Sequence, residues 1–397
     1  MKSSLLVCLA FLTSGVLTAQ ERRGPNQLIR PTPDAVFEKY AILSDPEMDM
    51  VGGEVAVSDN GRWLVAHGAG KRPHYATGVV DEVIWSWTLD SKVLDRWSKR
   101  LNSSSEMTAN LIKLFPDSTA AVFNEDSSRP FQQRYYVSKS SNAEPTLVNV
   151  PKYLKNVDSD VIISTGPNGK LTVLQYELSL ADAAHPIKYA FWEAAPDKLE
   201  TTPQSAFSSE INALRPDRSM QQGRFLVQIQ DSRREAKTDE ESGKVIRYET
   251  MPSQVVDLAL GKAWLLPDAA GIVYSTAIRQ DGKHLATIGR NDMKLNIFDV
   301  TTGNPVIKTV ILADVPGYQY DATRFRPYQL AVRPDSSLVA IGGMDGLVII
   351  DPRIPAIVQS FAGQFLFVSK NWKWLVMQEP RGAMGKNGGL SVWRMKE

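Results

Sequence analysis

Cysteine is almost missing from this chain of 397 residues: the sequence has one, Cys8. It falls inside an apolar run from Leu5 to Leu12 that continues through Val16, behind Lys2. Leu17-Thr18-Ala19 ahead of Gln20 fits the small-residue rule for signal-peptidase cleavage, so residues 1–19 read as an export signal. The run is too short to span a bilayer comfortably, which weighs against an uncleaved membrane anchor. Val7 stands where a small residue should precede a lipid-modified cysteine, which weighs against a lipoprotein. Once the signal is removed no thiol is left. Disulfides, thiolate metal sites and cysteine nucleophiles are then excluded, and stability has to come from packing.

Other scarcities narrow the reading further. No second long apolar run follows the first, so no membrane span is expected in the mature chain. The formal charge is only +1, which argues against a global attraction to nucleic acid or anionic membranes and leaves room for local patches. The four histidines, His67, His74, His185 and His284, are scattered, and no two have the spacing of metal ligands. Gly-x-Ser-x-Gly, His-x-x-x-His and EF-hand patterns are all missing. Lys71 follows Gly68-Ala69-Gly70, but Val65 and Arg72 occupy positions where a phosphate loop needs Gly and Ser or Thr. No catalytic residue, metal or cofactor is therefore expected. Asn102-Ser103-Ser104 is the one glycosylation sequon, which in so long an exported chain hints at a bacterial source and a periplasmic or secreted protein.

What is present is one grammar, repeated. In Gly271 to Val306, apolar runs at Ile272–Ile278, His284–Ile288 and Leu295–Val300 are separated by Gln280-Asp281-Gly282-Lys283 and by Gly289–Met293. Asp-Gly supplies the positive backbone dihedrals of a tight hairpin, so the stretch reads as a three-strand meander. A sheet of that size cannot hide both faces alone. Similar stretches recur, with first hairpin turns at Asp59, Asp117, Asn168, Asp217, Asp281, Asp335 and Asn371. The expected fold is all-β: a single β-propeller of seven four-stranded blades over residues 51–397, whose blades cover one another around an axis. Leu390–Met395 would be the third strand of the last blade. Within the N-terminal segment, 20–50, the run Val36–Leu43 is expected to supply the fourth and close the ring. The charged run Asp231–Lys244 reads as a solvated hairpin tip.

Asp281-Gly282-Lys283-His284-Leu285-Ala286 followed by Asn296-Ile297-Phe298-Asp299-Val300-Thr301-Thr302-Gly303 resembles the WD-repeat pattern, as do Val255–Lys262 and Arg333–Asp351. Phe298-Asp299 and Ile350-Asp351 replace Trp-Asp, and the Gly-His dipeptide is missing. The chain looks most like the divergent WD-like propellers of exported bacterial proteins, and the resemblance implies the same closed ring of blades.

Two constellations of candidate binding residues follow. The long connections between second and third strands in the last, first and second blades carry Lys71, Arg72, His74, Tyr75, Arg129, Phe131, Arg381 and Lys386 towards one face. Basic groups mixed with Tyr and Phe suit a protein, a peptide or an anionic polymer. At the other mouth, Arg215, Arg279 and Arg333 each precede a hairpin Asp by two residues and form a possible anion site. The function expected is a non-catalytic binding scaffold with no nucleic-acid partner. The alternative is a propeller enzyme of the lactonase or hydrolase type, for which Asp126, Asp292 and Asp345 are the carboxylates that follow second strands.

Overall fold

The computed structural model describes residues 35–396 apart from 46–47, 51–54, 59, 71–81, 100–111, 115–120, 126–133, 139–145, 155–158, 166–169, 178–187, 196–197, 199–201, 209–220, 229–233, 239–244, 251–253, 268–272, 290–291, 319–328, 344–345 and 380–388. The expected signal, residues 1–19, lies outside the described residues. Every sheet is antiparallel and built mostly from strands adjacent in sequence. Met48–Met50 reaches past Val55–Val57 to Trp63–Gly70, Phe225–Gln228 reaches past an inserted hairpin to Gln254–Asp257, and the one pairing that spans the chain is at the closure.

The first blade runs from Met48–Met50 through Val55–Val57, Trp63–Gly70 and Glu82–Thr88 to Val93–Lys99. Its innermost strand is in two pieces, both paired to Trp63–Gly70. The second blade spans Ile112 to Leu147 and the third Ser159 to Ser208. Two more four-stranded blades run from Val273 to Ile311 and from Gln329 to Ala362. In the closing blade, Gln364–Val368, Trp374–Gln378 and Leu390–Met395 receive Phe37–Leu43 as the outer strand. That pairing sets Phe37 opposite Met395 and Leu43 opposite Leu390, with a register shift between Lys39 and Ala41.

The expectation of seven four-stranded blades is corrected. Among the described residues, six sheets are four-stranded blades. Between the third blade and the Val273 blade stands a three-stranded sheet of Phe225–Gln228, Gln254–Asp257 and Lys262–Leu265. The turn count placed its first hairpin at Asp217, which lies outside the described residues. The described turn is instead Gln222-Gly223, both at positive φ, with Gln221 and Phe225 bridged across it. The charged run contributes no strand to this sheet. Among the described residues Arg234–Thr238 and Val245–Thr250 pair only with each other.

The second strands explain the architecture. Leu171–Tyr176, Leu285–Gly289, Val339–Gly342 and Leu375–Gln378 are buried along their whole length, on both faces. Two-residue alternation would leave one face wet, so a neighbour must cover each side. The buried side chains accordingly cluster between sheets rather than within them. Val376 and Val392 of the closing blade pack with Leu64 and Trp85 of the first. Leu174 and Phe191 of the third meet Leu226 and Val256 of the three-stranded sheet, which in turn shares Phe225 and Val255 with Leu285 and Phe298.

Buried amides tie the sheets together. Gln359 accepts from the Phe37 backbone N–H and donates to the Phe37 carbonyl, both at 2.8 Å, imitating a strand partner across the gap between blades. Gln175 accepts from the N–H groups of Tyr153 and Leu154 at 3.1 Å. Gln221 accepts from the Ile278 N–H at 2.7 Å and donates to the Thr276 hydroxyl at 2.9 Å. Trp85 donates its indole N–H to Asp45 at 2.8 Å.

Phe37 is 2% exposed and rests against the Phe361 and Trp372 rings. Phe37→Ala should therefore lower the stability of the ring by about 3–5 kcal/mol in urea unfolding, while Glu38→Ala on the exposed side of the same strand should change it by less than about 0.5 kcal/mol. Equal effects from the two would mean that the closing strand is not packed as described.

Candidate functional site

Four of the described first hairpin turns follow one local plan. Asn60, Asp281, Asp335 and Asn371 each accept, through Oδ1, the N–H two residues on, at 2.9, 3.0, 2.9 and 3.1 Å. The next position is left-handed: Gly61, Gly282, Ser336 and Trp372 have φ of 68°, 73°, 60° and 58°. After it comes Arg62, Lys283, Ser337 or Lys373. Short polar side chains make this turn because they bond their own backbone and tolerate the fold-back.

Arg279 and Arg333 belong to that plan. Two residues before the turn carboxamide, Ser58 and Ser369 donate to Asn60 and Asn371 at 2.7 Å. At the same position Arg279 grips Asp281 with both arms of its guanidinium, and Arg333 lies 3.5 Å from Asp335. Burial works against the Asp281 charge, but the Arg279 bond and the Lys283 N–H outweigh it and hold its carboxyl below the usual range. Asp335 is lowered in the same way, with Ser337 supplying the bonds against burial. Arg215, the third member expected at this mouth, lies outside the described residues. The residue that the sequence reading missed is Arg224. It follows Gln222-Gly223 as Lys283 follows Asp281-Gly282, and it forks onto Asp257 at 2.8 and 2.7 Å. The signal for it was a plain Gln-Gly turn.

A polar contact crosses one seam. His284 Nδ1 lies 2.9 Å from the Ser336 hydroxyl of the next blade, and Arg279 donates to the same oxygen at 3.2 Å. With Arg279 donating, the serine proton is free to point at the imidazole, which is then neutral at Nδ1. Burial, followed by the Arg279 charge, pushes the His284 pKa below its ordinary value. A hydroxyl bonded to a neutral imidazole is also the start of a nucleophilic pair. Two other seams show what this one is. Trp374 occupies the space where a Cβ on Gly61 would stand, and Phe225 does the same at Gly282. Trp374, Phe225 and His284 each begin a second strand, and Gly61, Gly282 and Ser336 are the left-handed residues of the neighbouring turn. Ser336 is also 7% exposed. The pair is the hydrogen-bonded version of an aromatic-on-glycine seam.

Two further carboxylates at this end are also bound within their turns. Asp299 accepts from the Thr301 hydroxyl at 2.7 Å and the Thr302 N–H at 2.9 Å, and these bonds hold its pKa at about 2. Asp351 is lowered chiefly by its bonds to Arg353, at 2.9 and 2.6 Å. At the opposite end, Asp292 pairs with Lys294 at 3.0 Å. Asp126 and Asp345 lie outside the described residues, as do Lys71, Arg72, His74, Tyr75, Arg129, Phe131, Arg381 and Lys386. What the structure gives for those loops is their anchors. Gly70 and Glu82, Glu125 and Arg134, and Gln378 and Leu390 each bracket a connection from second to third strand. The three anchors stand on the first, second and closing blades, which touch in series through Val55–Val57.

The chain matches no protein-family model, and no curated protein matches it. The architecture speaks for it: a β-propeller arrangement of small antiparallel sheets.

A group whose folded pKa is lowered binds its proton more readily once unfolded, so the stability tied to neutral His284 is complete above its ordinary pKa of about 6.5 and is lost as the pH falls below that. The urea midpoint should accordingly fall between pH 7.5 and 5.5, and less steeply in His284→Gln than in the parent. Identical slopes would show that the seam does not sense the proton.

Proposed function

We propose that the protein is a non-catalytic binding scaffold, a divergent WD-repeat-like propeller that works outside the cytoplasm after loss of residues 1–19. Its partner is a protein, a peptide or an anionic polymer, held on the connections 71–81, 126–133 and 380–388. One observation carries this reading. The closing strand Phe37–Leu43 makes the last blade a neighbour of the first, so three consecutive blades carry long second-to-third connections at the same end. The basic and aromatic residues of those connections, Arg72, Tyr75, Arg129, Phe131 and Arg381 among them, suit recognition of an acidic or extended partner.

The commitment of the carboxylates supports the same reading. Asp257, Asp281, Asp299, Asp335 and Asp351 bond to their own turns, and all but Asp299 also pair with an arginine, which is scaffold work. A hydrolase-type site would use carboxylates converging on the axis.

Reversing two charges tests the proposal. The double variant Arg72→Glu/Arg381→Glu should keep the parent's urea midpoint and lose capture of a partner from the exported fraction in affinity purification. Capture at the parent's level would remove these loops as the binding face.

A further inference from the structure

The end of the propeller opposite those loops carries a second pattern. First and third hairpins turn at the same end of each sheet, and backbone bonds fasten them together there. Leu89 N–H donates to Arg62 C=O at 2.8 Å, Leu258 to Arg224 at 3.1 Å and Val300 to Lys283 at 2.8 Å. The first hairpins bring Arg62, Lys283 and Lys373 to this end, all exposed. The third hairpins bring Lys92 and Lys262. Among the described residues these five make no ion pair, whereas Asp257, Asp281, Asp335 and Asp351 each have an arginine. Asp90 and Asp299 also stand at this end without an arginine, and the five cations still outnumber them, so the end has an excess of positive charge although the whole chain is close to neutral.

The third hairpins also expose apolar side chains, each beside a cation. Val93 follows Lys92 and is 59% exposed; Leu260 lies two residues before Lys262 and is 64% exposed; Ile354 follows Arg353 and is 69% exposed. They stand on three different sheets, the first blade, the three-stranded sheet and the Gln329 blade. Nothing in the folding of those sheets requires them, since the turns are already made by Asp257, Asp351 and a left-handed Lys92.

We infer that this end of the propeller docks on the surface of an anionic lipid bilayer. Separate apolar tips spaced around a rim do not make a protein hot spot, which needs its anchors clustered in one desolvated patch. A bilayer is laterally uniform, so tips on different sheets insert side by side, each with its cation among the headgroups. Each Lys or Arg held at such a surface contributes about 1 kcal/mol, and the attraction weakens with salt. The loop-bearing end then faces away from the lipid.

Sedimentation of the full chain with phosphatidylcholine vesicles, with and without phosphatidylglycerol, tests this. The N-terminal apolar run is common to all variants, so what is read is the preference for the anionic vesicles and its change on substitution. The parent should prefer the phosphatidylglycerol vesicles, and added salt should weaken that preference. Lys92→Gln and Lys373→Gln should each reduce the preference about fivefold. Leu260→Ser/Ile354→Ser should weaken binding to the anionic vesicles and leave the salt dependence in place. All of these positions are exposed, so the urea midpoint should stay at the parent's value. A parent without preference would overturn the inference, and so would a preference that the lysine variants leave intact. Lysine variants that abolish binding while the apolar pair changes nothing would point to an acidic macromolecule and overturn it too.

Discussion

Everything in this molecule depends on the two-sided burial of small sheets. A four-stranded sheet of short strands has two apolar faces and, among the described residues, no α-helix to cover either. Among the described residues the central strands, Leu171–Tyr176 and Leu285–Gly289 among them, are buried on both. Only a neighbour of the same kind on each side satisfies that condition, and a line of such sheets ends in two bare faces unless it meets itself. The pairing of Phe37–Leu43 with Leu390–Met395 is where it meets. Phe37, buried with Phe361 and Trp372, and Leu43, buried with Leu390 and Val392, anchor the closing strand on its two flanks.

Between blades the contacts obey a positional plan with variable chemistry. At three described seams the left-handed position of a first turn lies under the first residue of a neighbouring second strand, which fills the space above it. Indole on Gly61, phenyl on Gly282 and imidazole on Ser336 are three solutions of one geometry. Buried amides serve a different purpose. Adjacent blades pack face to face and their strands cannot form a ladder, so Gln359 and Gln221 supply the missing donor and acceptor pair from a side chain. An unsatisfied backbone group at that depth would cost about 1–3 kcal/mol, which is why a long polar side chain is tolerated in an apolar seam.

Much of this was legible in the sequence. Turn chemistry at Asp281-Gly282, Asp335-Ser336 and Asn371 marked hairpins correctly because a short polar side chain bonding its own backbone is a local event. The closing strand was legible because Leu390–Met395 left a sheet one strand short. The blade count failed at the three-stranded sheet, whose described turn, Gln222-Gly223, carries no Asp or Asn signal; the expected turn at Asp217 lies outside the described residues. The His284 and Ser336 contact was out of reach, since it joins residues on two blades and no local pattern reports which turn lies under which strand. The exposure of Val93, Leu260 and Ile354 was equally hidden, because an apolar residue beside a turn looks the same whether it points inward or out.

The closing pair also dictates an order of events. Phe37–Leu43 leaves the ribosome first among the described strands and has no sheet to join until Leu390–Met395 has followed it. Every other described pairing lies between nearer neighbours along the chain, so each sheet can assemble from its own segment while the ring stays open. The last step therefore closes a loop that spans almost the whole polypeptide, and its entropic cost falls late, when most of the sheets already hold the two ends close together. A nascent chain cut short before Leu390 would be an open horseshoe with a sticky rim.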